Sequence, residues 1–267
     1  MKTSDIDTAA DDAAGSARRF GGVARLYGEA ALARLADSHV CVIGIGGVGS
    51  WAAEALARSA VGRITLIDLD HVALSNVNRQ IQALDGEFGR AKVSAMAERI
   101  LKINPRCVVS EIDDFISAEN VATLLPPCDA VLDAIDNVRA KAALIAHCKR
   151  AGLPIVTTGG AGGRTDPTRI QVADLSRTIQ DALASKVRAR LRKEYGFARE
   201  AKKKFGVECV FSVESVMRPA STGPACALDE RGPQGLNCAG YGSAVTVTAC
   251  FGLVAAARVL ERLILSP

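Results

Sequence analysis

The hexapeptide Gly44-Ile45-Gly46-Gly47-Val48-Gly49 limits most strongly what this chain can fold into. It ends a short apolar run, His39–Ile45, whose β-branched residues read as a buried strand. It also opens a stretch of small residues, Gly47–Ala60, that reads as a helix. At such a junction glycine permits a turn that side chains resist. It also lets the amides of a helix N-terminus come close to an anion. The spacing fits G-x-G-x-x-G, and Asp68 ends the next strand 24 positions after Gly44, where a carboxylate can hold a ribose hydroxyl.

The rest of the first 163 residues alternates in the same way. Arg63–Asp68, Arg106–Ile112, Asp129–Ala134 and Pro154–Thr158 read as strands. Gly89–Ile103 is an amphipathic helix, with Val93, Met96, Ala97, Ile100 and Leu101 on one face. Ser117–Leu124 is a short helix ended by Pro126-Pro127, and Val138–Ala151 is a longer one. This order predicts an α/β fold: a doubly wound, Rossmann-like, mainly parallel sheet. Beyond Gly163 the periodicity weakens; Arg169–Ala173 and Gly206–Ser212 read as strands of an antiparallel C-terminal extension. Ligands of such sheets bind outside the carboxyl ends of the strands. That rule selects Gly44–Gly49, Asp68–Asp70, Asp113-Asp114 and Asp136-Asn137.

The loop alone points to a dinucleotide and an NAD-dependent oxidoreductase. Its neighbours point elsewhere. Asp68-Leu69-Asp70 runs on to Ser75-Asn76-Val77-Asn78-Arg79-Gln80, which places amides and a guanidinium just beyond the ribose position. The planar fork of arginine suits phosphate oxygens. Lys92 lies in the first turn of the next helix, and Asp136 closes the fourth strand. One Arg, one Lys and one Asp around a nucleotide suit phosphate and Mg²⁺ chemistry better than hydride transfer. Taken singly, each has a plainer reading. Arg79 and Lys92 are then solvated charges, while Asp136 and Asp70 cap a helix and a turn. Their joint placement at strand ends favours the ATP reading.

Composition narrows the class further. With 267 residues, 49% hydrophobic and 23% charged, the chain suits one large domain, expected here over 17–267. Residues 1–16 are rich in Asp and Ala and read as a disordered tail; with no apolar run they are not a signal peptide, and a cytoplasmic location is expected. None of the eight cysteines forms a C-x-x-C pair, so neither a disulfide framework nor a structural zinc site is expected. Ala239–Ala257 is uncharged and long enough to span a bilayer, but its Gly, Ser, Thr and Tyr residues favour a buried helix that continues into the amphipathic Arg258–Leu265. The segment 186–204 carries nine basic residues against two acidic ones, a larger surplus than the +4 of the whole chain. It reads either as a solvated helix face or as a phosphate-contacting surface for nucleic acid.

The combination GIGGVG, LIDLD, SNVNRQ, GRAK and DAIDN resembles the ubiquitin-activating-enzyme-like superfamily, which adenylates carboxylates with ATP and Mg²⁺. RFGGVARLYG at 19–28, GIGGVGSWAAEALARSAVG at 44–62, NRQI at 78–81 and VTTGGAGGRTDPTRIQVADL at 156–175 are similar to its tRNA-modifying dehydratase branch over nearly the whole chain. The resemblance implies that Gly44, Gly46, Gly47 and Gly49 hold phosphates, with Asp68 at the ribose and Asp70 also in the nucleotide site. It places Ser75, Asn76, Asn78 and Arg79 along the triphosphate, Lys92 on its charge, and Asp136 on Mg²⁺ with Asn137 beside it. Arg79, Lys92 and Asp136 are the implied catalytic groups. Cys238 is a further candidate, because relatives that form thioesters use a cysteine in this later half; core packing is its plainer reading.

The substrate implied for that branch is a tRNA adenosine beside the anticodon bearing a threonylcarbamoyl group, dehydrated in a ligase-type reaction. A homodimer is also implied, with a cysteine-desulfurase or sulfur-acceptor system as a candidate partner. Activation of a small sulfur-carrier protein is the alternative, weakened by the missing C-x-x-C pairs. No residue in the sequence clearly matches the N-terminal arginine that some relatives insert from a partner; Arg19 and Arg25 flank that region.

Overall fold

In a computed structural model, which describes residues 4–200, 202–217 and 241–265, a seven-stranded sheet carries helices on both faces. The strands are β1 (His39–Ile43), β2 (Arg63–Ile67), β3 (Val108–Ile112), β4 (Ala130–Asp133), β5 (Ile155–Thr158), β6 (Ile170–Asp174) and β7 (Glu208–Ser212). The helices are α1 (Ser4–Tyr27), α2 (Glu29–Asp37), α3 (Gly49–Arg58), α4 (Lys92–Ile103), α5 (Val121–Leu124), α6 (Val138–Ala151), α7 (Ala182–Glu194) and α8 (Val245–Leu265). α1 runs through most of the stretch read as a tail, in keeping with the helix propensity of its alanines.

The strand order is β3-β2-β1-β4-β5-β7-β6, parallel throughout except that β6 pairs antiparallel with β7. The doubly wound sheet and its antiparallel extension are therefore as the sequence predicts. Strands β1, β4 and β5 are almost wholly buried because both faces are covered, which accounts for their unbroken apolar runs. One core packs α3, α4 and α8 on the sheet, and the other packs α5, α6 and α7.

The uncharged C-terminal run forms α8, which lies against α3. Val247, Phe251, Ala255, Val259 and Leu263 line its buried side at helical spacing. Gly252 allows the close approach, since a Cβ there would stand 2.3 Å from the Val48 carbonyl oxygen. Beyond this contact α8 turns amphipathic: Arg258 and Arg262 pair with Glu208 of β7 at 2.7 and 2.8 Å. Among the described residues no helix is long and apolar enough to cross a membrane. Cys41, Cys107, Cys148 and Cys209 are buried free thiols, and burial pushes Cys107 up to about 11 and Cys148 up to about 12. They are packing residues rather than nucleophiles. Cys226 and Cys238 lie outside the described residues.

Candidate active site

β1 and β4 are neighbours, yet the chain leaves β1 into α3 on one face and β4 into α6 on the other. Their carboxyl ends therefore form the switch point at which such sheets bind ligands. A cleft of about 940 Å³ opens there, large enough for a nucleotide. The glycine loop forms one wall. Gly44 has φ +86°, and a Cβ on it would meet the Ala134 carbonyl oxygen at 2.9 Å. A Cβ on Gly49 would stand 1.8 Å from the Gly44 carbonyl oxygen, so the turn itself requires glycine here. Gly46 and Gly47 line the cleft; an added Cβ on Gly46 meets no atom within 4 Å, whereas one on Gly47 would stand 3.0 Å from the Arg79 side chain.

Asp68 both lines the cleft and braces the loop. It accepts from the Ile45 amide at 2.5 Å and from the Asp70 amide at 2.8 Å. Burial raises its pKa above the usual carboxylate range, opposed by the charge of Lys92. Lys92 is the first residue of α4, and its ammonium lies 2.6 Å from Asp70 Oδ2 and 3.9 Å from Asp68 Oδ1. Its side chain is only 7% exposed, which removes the reading of a solvated surface charge. Asp70 serves as its exposed partner.

Arg79 is half-buried. Its Nη1 donates to the Ser75 carbonyl at 2.8 Å and to Asn78 Oδ1 at 3.0 Å. Burial lowers its pKa, and the opposite charge of Asp136 works against that. Ser75, Asn76 and Asn78 do not themselves line the cleft; they hold Arg79 from behind. Asn76 is buried and accepts from the Ala73 amide at 3.0 Å, closing a tight turn, and Asn78 donates to the Ser243 carbonyl at 2.8 Å. Trp51 Nε1 fixes the same segment by donating to the Arg79 carbonyl at 2.9 Å.

Asn137, not Asp136, caps α6: its side-chain oxygen accepts from the Arg139 and Ala140 amides at 2.9 and 3.1 Å. Asp136 therefore does not serve as the cap. It lines the cleft together with Arg79 and Lys92. Between the end of β4 and α6 lies a pair that the sequence reading passed over. Asp133 and Lys141 meet at 2.9 Å with side chains 0% and 2% exposed, and Asp133 Oδ1 accepts from the Ile135 amide at 3.0 Å. The cleft is completed by Gln80, by Tyr195 at the end of α7, and by Tyr241 and Thr248 from the C-terminal part. Gln80 directly follows Arg79 and was within reach of motif reasoning. Tyr195 and Thr248 carry no local signal; only the tertiary fold brings them in.

Such a site offers grip on a triphosphate: a loop of amides, a guanidinium, an ammonium and a carboxylate. Fold and cleft together define a nucleotide-dependent α/β enzyme whose chemistry falls on phosphate rather than on a nicotinamide ring. The model of the ThiF family matches residues 21–266, and the chain belongs to that family. It is 55% identical to the tRNA threonylcarbamoyladenosine dehydratase of Escherichia coli K12, over 92% of this chain and 93% of that one. It is 51% identical to the enzyme of the same name from Haemophilus influenzae, over 92% and 94%. Among solved structures, that of the E. coli tRNA N6-threonylcarbamoyladenosine dehydratase in complex with ATP superposes with a TM-score of 0.83 at 52% identity, covering 92% of this chain and 94% of that chain.

Proposed function

We propose that the chain catalyses the ATP-dependent dehydration of N6-threonylcarbamoyladenosine beside the anticodon of tRNA, through an acyl adenylate. The observation that carries this reading is the convergence of Arg79, Lys92 and Asp136 on the glycine loop in one cleft. The near full-length relatives supply the substrate. A carboxylate is a poor electrophile. Its oxygen attacks the α-phosphorus of ATP, the bond to the β-phosphate oxygen breaks, and pyrophosphate leaves. Arg79 and Lys92 offset the charge that builds on the phosphate oxygens. A heteroatom of the same threonylcarbamoyl group then attacks the activated carbonyl and loses its proton. AMP departs with one oxygen of the carboxylate, so the nucleoside has lost one water. The tethered nucleophile brings a large effective molarity.

The donor chemistry fits Mg²⁺: Asp136 offers a hard oxygen, and phosphate oxygens and water complete the set that this ion takes. Asp136 would hold it, and the ion would supply charge neutralisation on the phosphates. The remaining expectations extend the same reading: a homodimer in the cytoplasm, with a sulfur-transfer system as a candidate partner. Mass spectrometry of tRNA nucleosides after incubation with enzyme and ATP tests the function. The expected product is lighter by one water, with AMP formed in step; ATP turnover stimulated by a small carrier protein instead of tRNA would overturn it. Because the nucleophile is part of the substrate, a Cys238→Ala variant is expected to cyclise at the wild-type rate. Loss of turnover in that variant with its fold intact would place the thiol on the pathway.

A further inference from the structure

A second buried ion pair, Arg164 with Asp181, is tied to the segment 159–162 that follows β5 and lines the nucleotide cleft. Both side chains are 1% exposed. Asp181 caps α7 with one carboxylate oxygen, accepting from the Ala184 amide at 2.8 Å, and accepts with the other from the Gly160 amide at 2.9 Å. A Cβ on Gly159 would stand 2.1 Å from that second oxygen, so the carboxylate lies directly against the backbone of the cleft wall. Arg164 Nη2 stands 3.5 Å from the same oxygen and donates to the Gln180 carbonyl at 2.8 Å. Gln180, just before the cap, has φ +55°, a conformation that side chains disfavour. Nε and Nη1 of Arg164 are buried without a hydrogen-bond partner among the described residues.

Stability alone does not account for this arrangement. A buried pair contributes little net, while unpaired buried N–H groups and a left-handed side chain both cost stability. Locally costly arrangements of this kind cluster at functional sites. The strand order indicates which part of the reaction the wall serves. Along β2-β1-β4-β5 the strand ends that line the cleft carry in turn Asp68, the glycine loop, Asp136 and 159–162. With ribose at Asp68 and phosphates at the glycine loop, the end of β5 is left for the group that attacks. We infer that Asp181, held by Arg164, is a positioning residue: through the Gly160 amide it fixes the wall on which the threonylcarbamoyl group lies while its carboxylate meets the α-phosphate. The inference rests on the proposed function and adds which buried residues set the acceptor side of the cleft. Neither Arg164 nor Asp181 lines the cleft, so both act through the backbone.

Steady-state kinetics of AMP formation with threonylcarbamoylated tRNA tests this, at a temperature where each variant is fully folded by its melting curve. Arg164→Met/Asp181→Ser removes both buried charges, and serine still caps α7 but has no second oxygen for Gly160. This variant is expected to melt near wild type. Its kcat should fall by about tenfold to a hundredfold with KM for ATP within about twofold, because displacing a reacting group slows the chemistry without loosening the nucleotide. Asp181→Ser alone leaves the guanidinium without its carboxylate and should melt well below the double variant at a similar kcat. Asp181→Asn, almost isosteric, also leaves one oxygen for two amides and should lower kcat as well. A pair with a structural role only would let kcat return together with the melting temperature in the double variant. A folded double variant with wild-type kcat overturns the inference; if that variant does not fold, a folded Asp181→Asn variant with wild-type kcat does so. A fall confined to KM for ATP overturns it too. Failure of the functional reading shows separately, as a wild type that forms no AMP with the modified tRNA, and removes the inference with it.

Discussion

Replacing Arg79 with alanine lowers kcat/KM for tRNA-dependent AMP formation by about 10²–10³, the cost of removing one preorganised donor from a developing phosphate charge. The expectation follows from how the guanidinium is held. Its aliphatic part lies over Gly47, where an added Cβ would stand 3.0 Å from it, and Nη1 is anchored by the Ser75 carbonyl and Asn78 Oδ1, so its direction is set before the nucleotide arrives. Preorganisation is what gives such a group its catalytic value, because little reorganises during the reaction. Arg79→Lys should recover little: one ammonium on a flexible stem cannot keep both anchors and still reach phosphate. The fold should survive, since the neighbouring backbone is held by Trp51 Nε1 on a main-chain oxygen that alanine retains. Steady-state kinetics with a melting curve checks this; a folded Arg79→Ala variant within threefold of wild type would remove the residue from catalysis.

The sheet was legible in the sequence because its strands are covered on both faces. Burial on both sides makes β1 and β4 continuous apolar runs, and glycines or acids punctuate their ends. The phosphate-binding wall was legible for the same reason: Gly44 and Asp68 directly follow strands and Asp136 lies in the loop after β4, and the geometry of a parallel sheet fixes where such residues go. Roles within the wall were harder to read. Ser75, Asn76 and Asn78 share a motif with Arg79, yet only Arg79 faces the cleft, because the turn rotates the others onto backbone partners. Asp136 and Asn137 are adjacent, and either could cap α6 by residue type; the helix begins at Val138, which gives the cap to Asn137. The basic segment 186–204 was visible as a charge run, but Lys149 and Arg150 join part of it across a groove only through packing of α6 against α7.

Lys141→Ala should be the most destabilising single change near the site, at about 3–5 kcal/mol, because it strands a carboxylate in the core. Asp133 is fully buried at the end of β4, where it accepts from Thr157 Oγ1 at 2.6 Å and from the Ile135 amide at 3.0 Å, and lies 2.9 Å from the Lys141 ammonium. The intact pair contributes little net stability, since desolvating two charges offsets most of their attraction. Removing one partner leaves the desolvation cost of the other uncompensated. A fall in Tm on the order of 10 °C is expected for a chain of this size. Asp133→Asn/Lys141→Met should regain much of the loss, because no buried charge remains and the amide oxygen can still accept from Ile135. The same pair reaches the chemistry. Asp133 sets the turn leading to Asp136, and Lys141 also donates to the Asp133 carbonyl at 3.3 Å. Measured at a temperature where Lys141→Ala is fully folded, its KM for ATP should therefore rise, while an unchanged KM would confine the pair to stability. Equal melting of wild type and Lys141→Ala would sink the account altogether, since a fully buried carboxylate cannot lose the ammonium paired with it without cost.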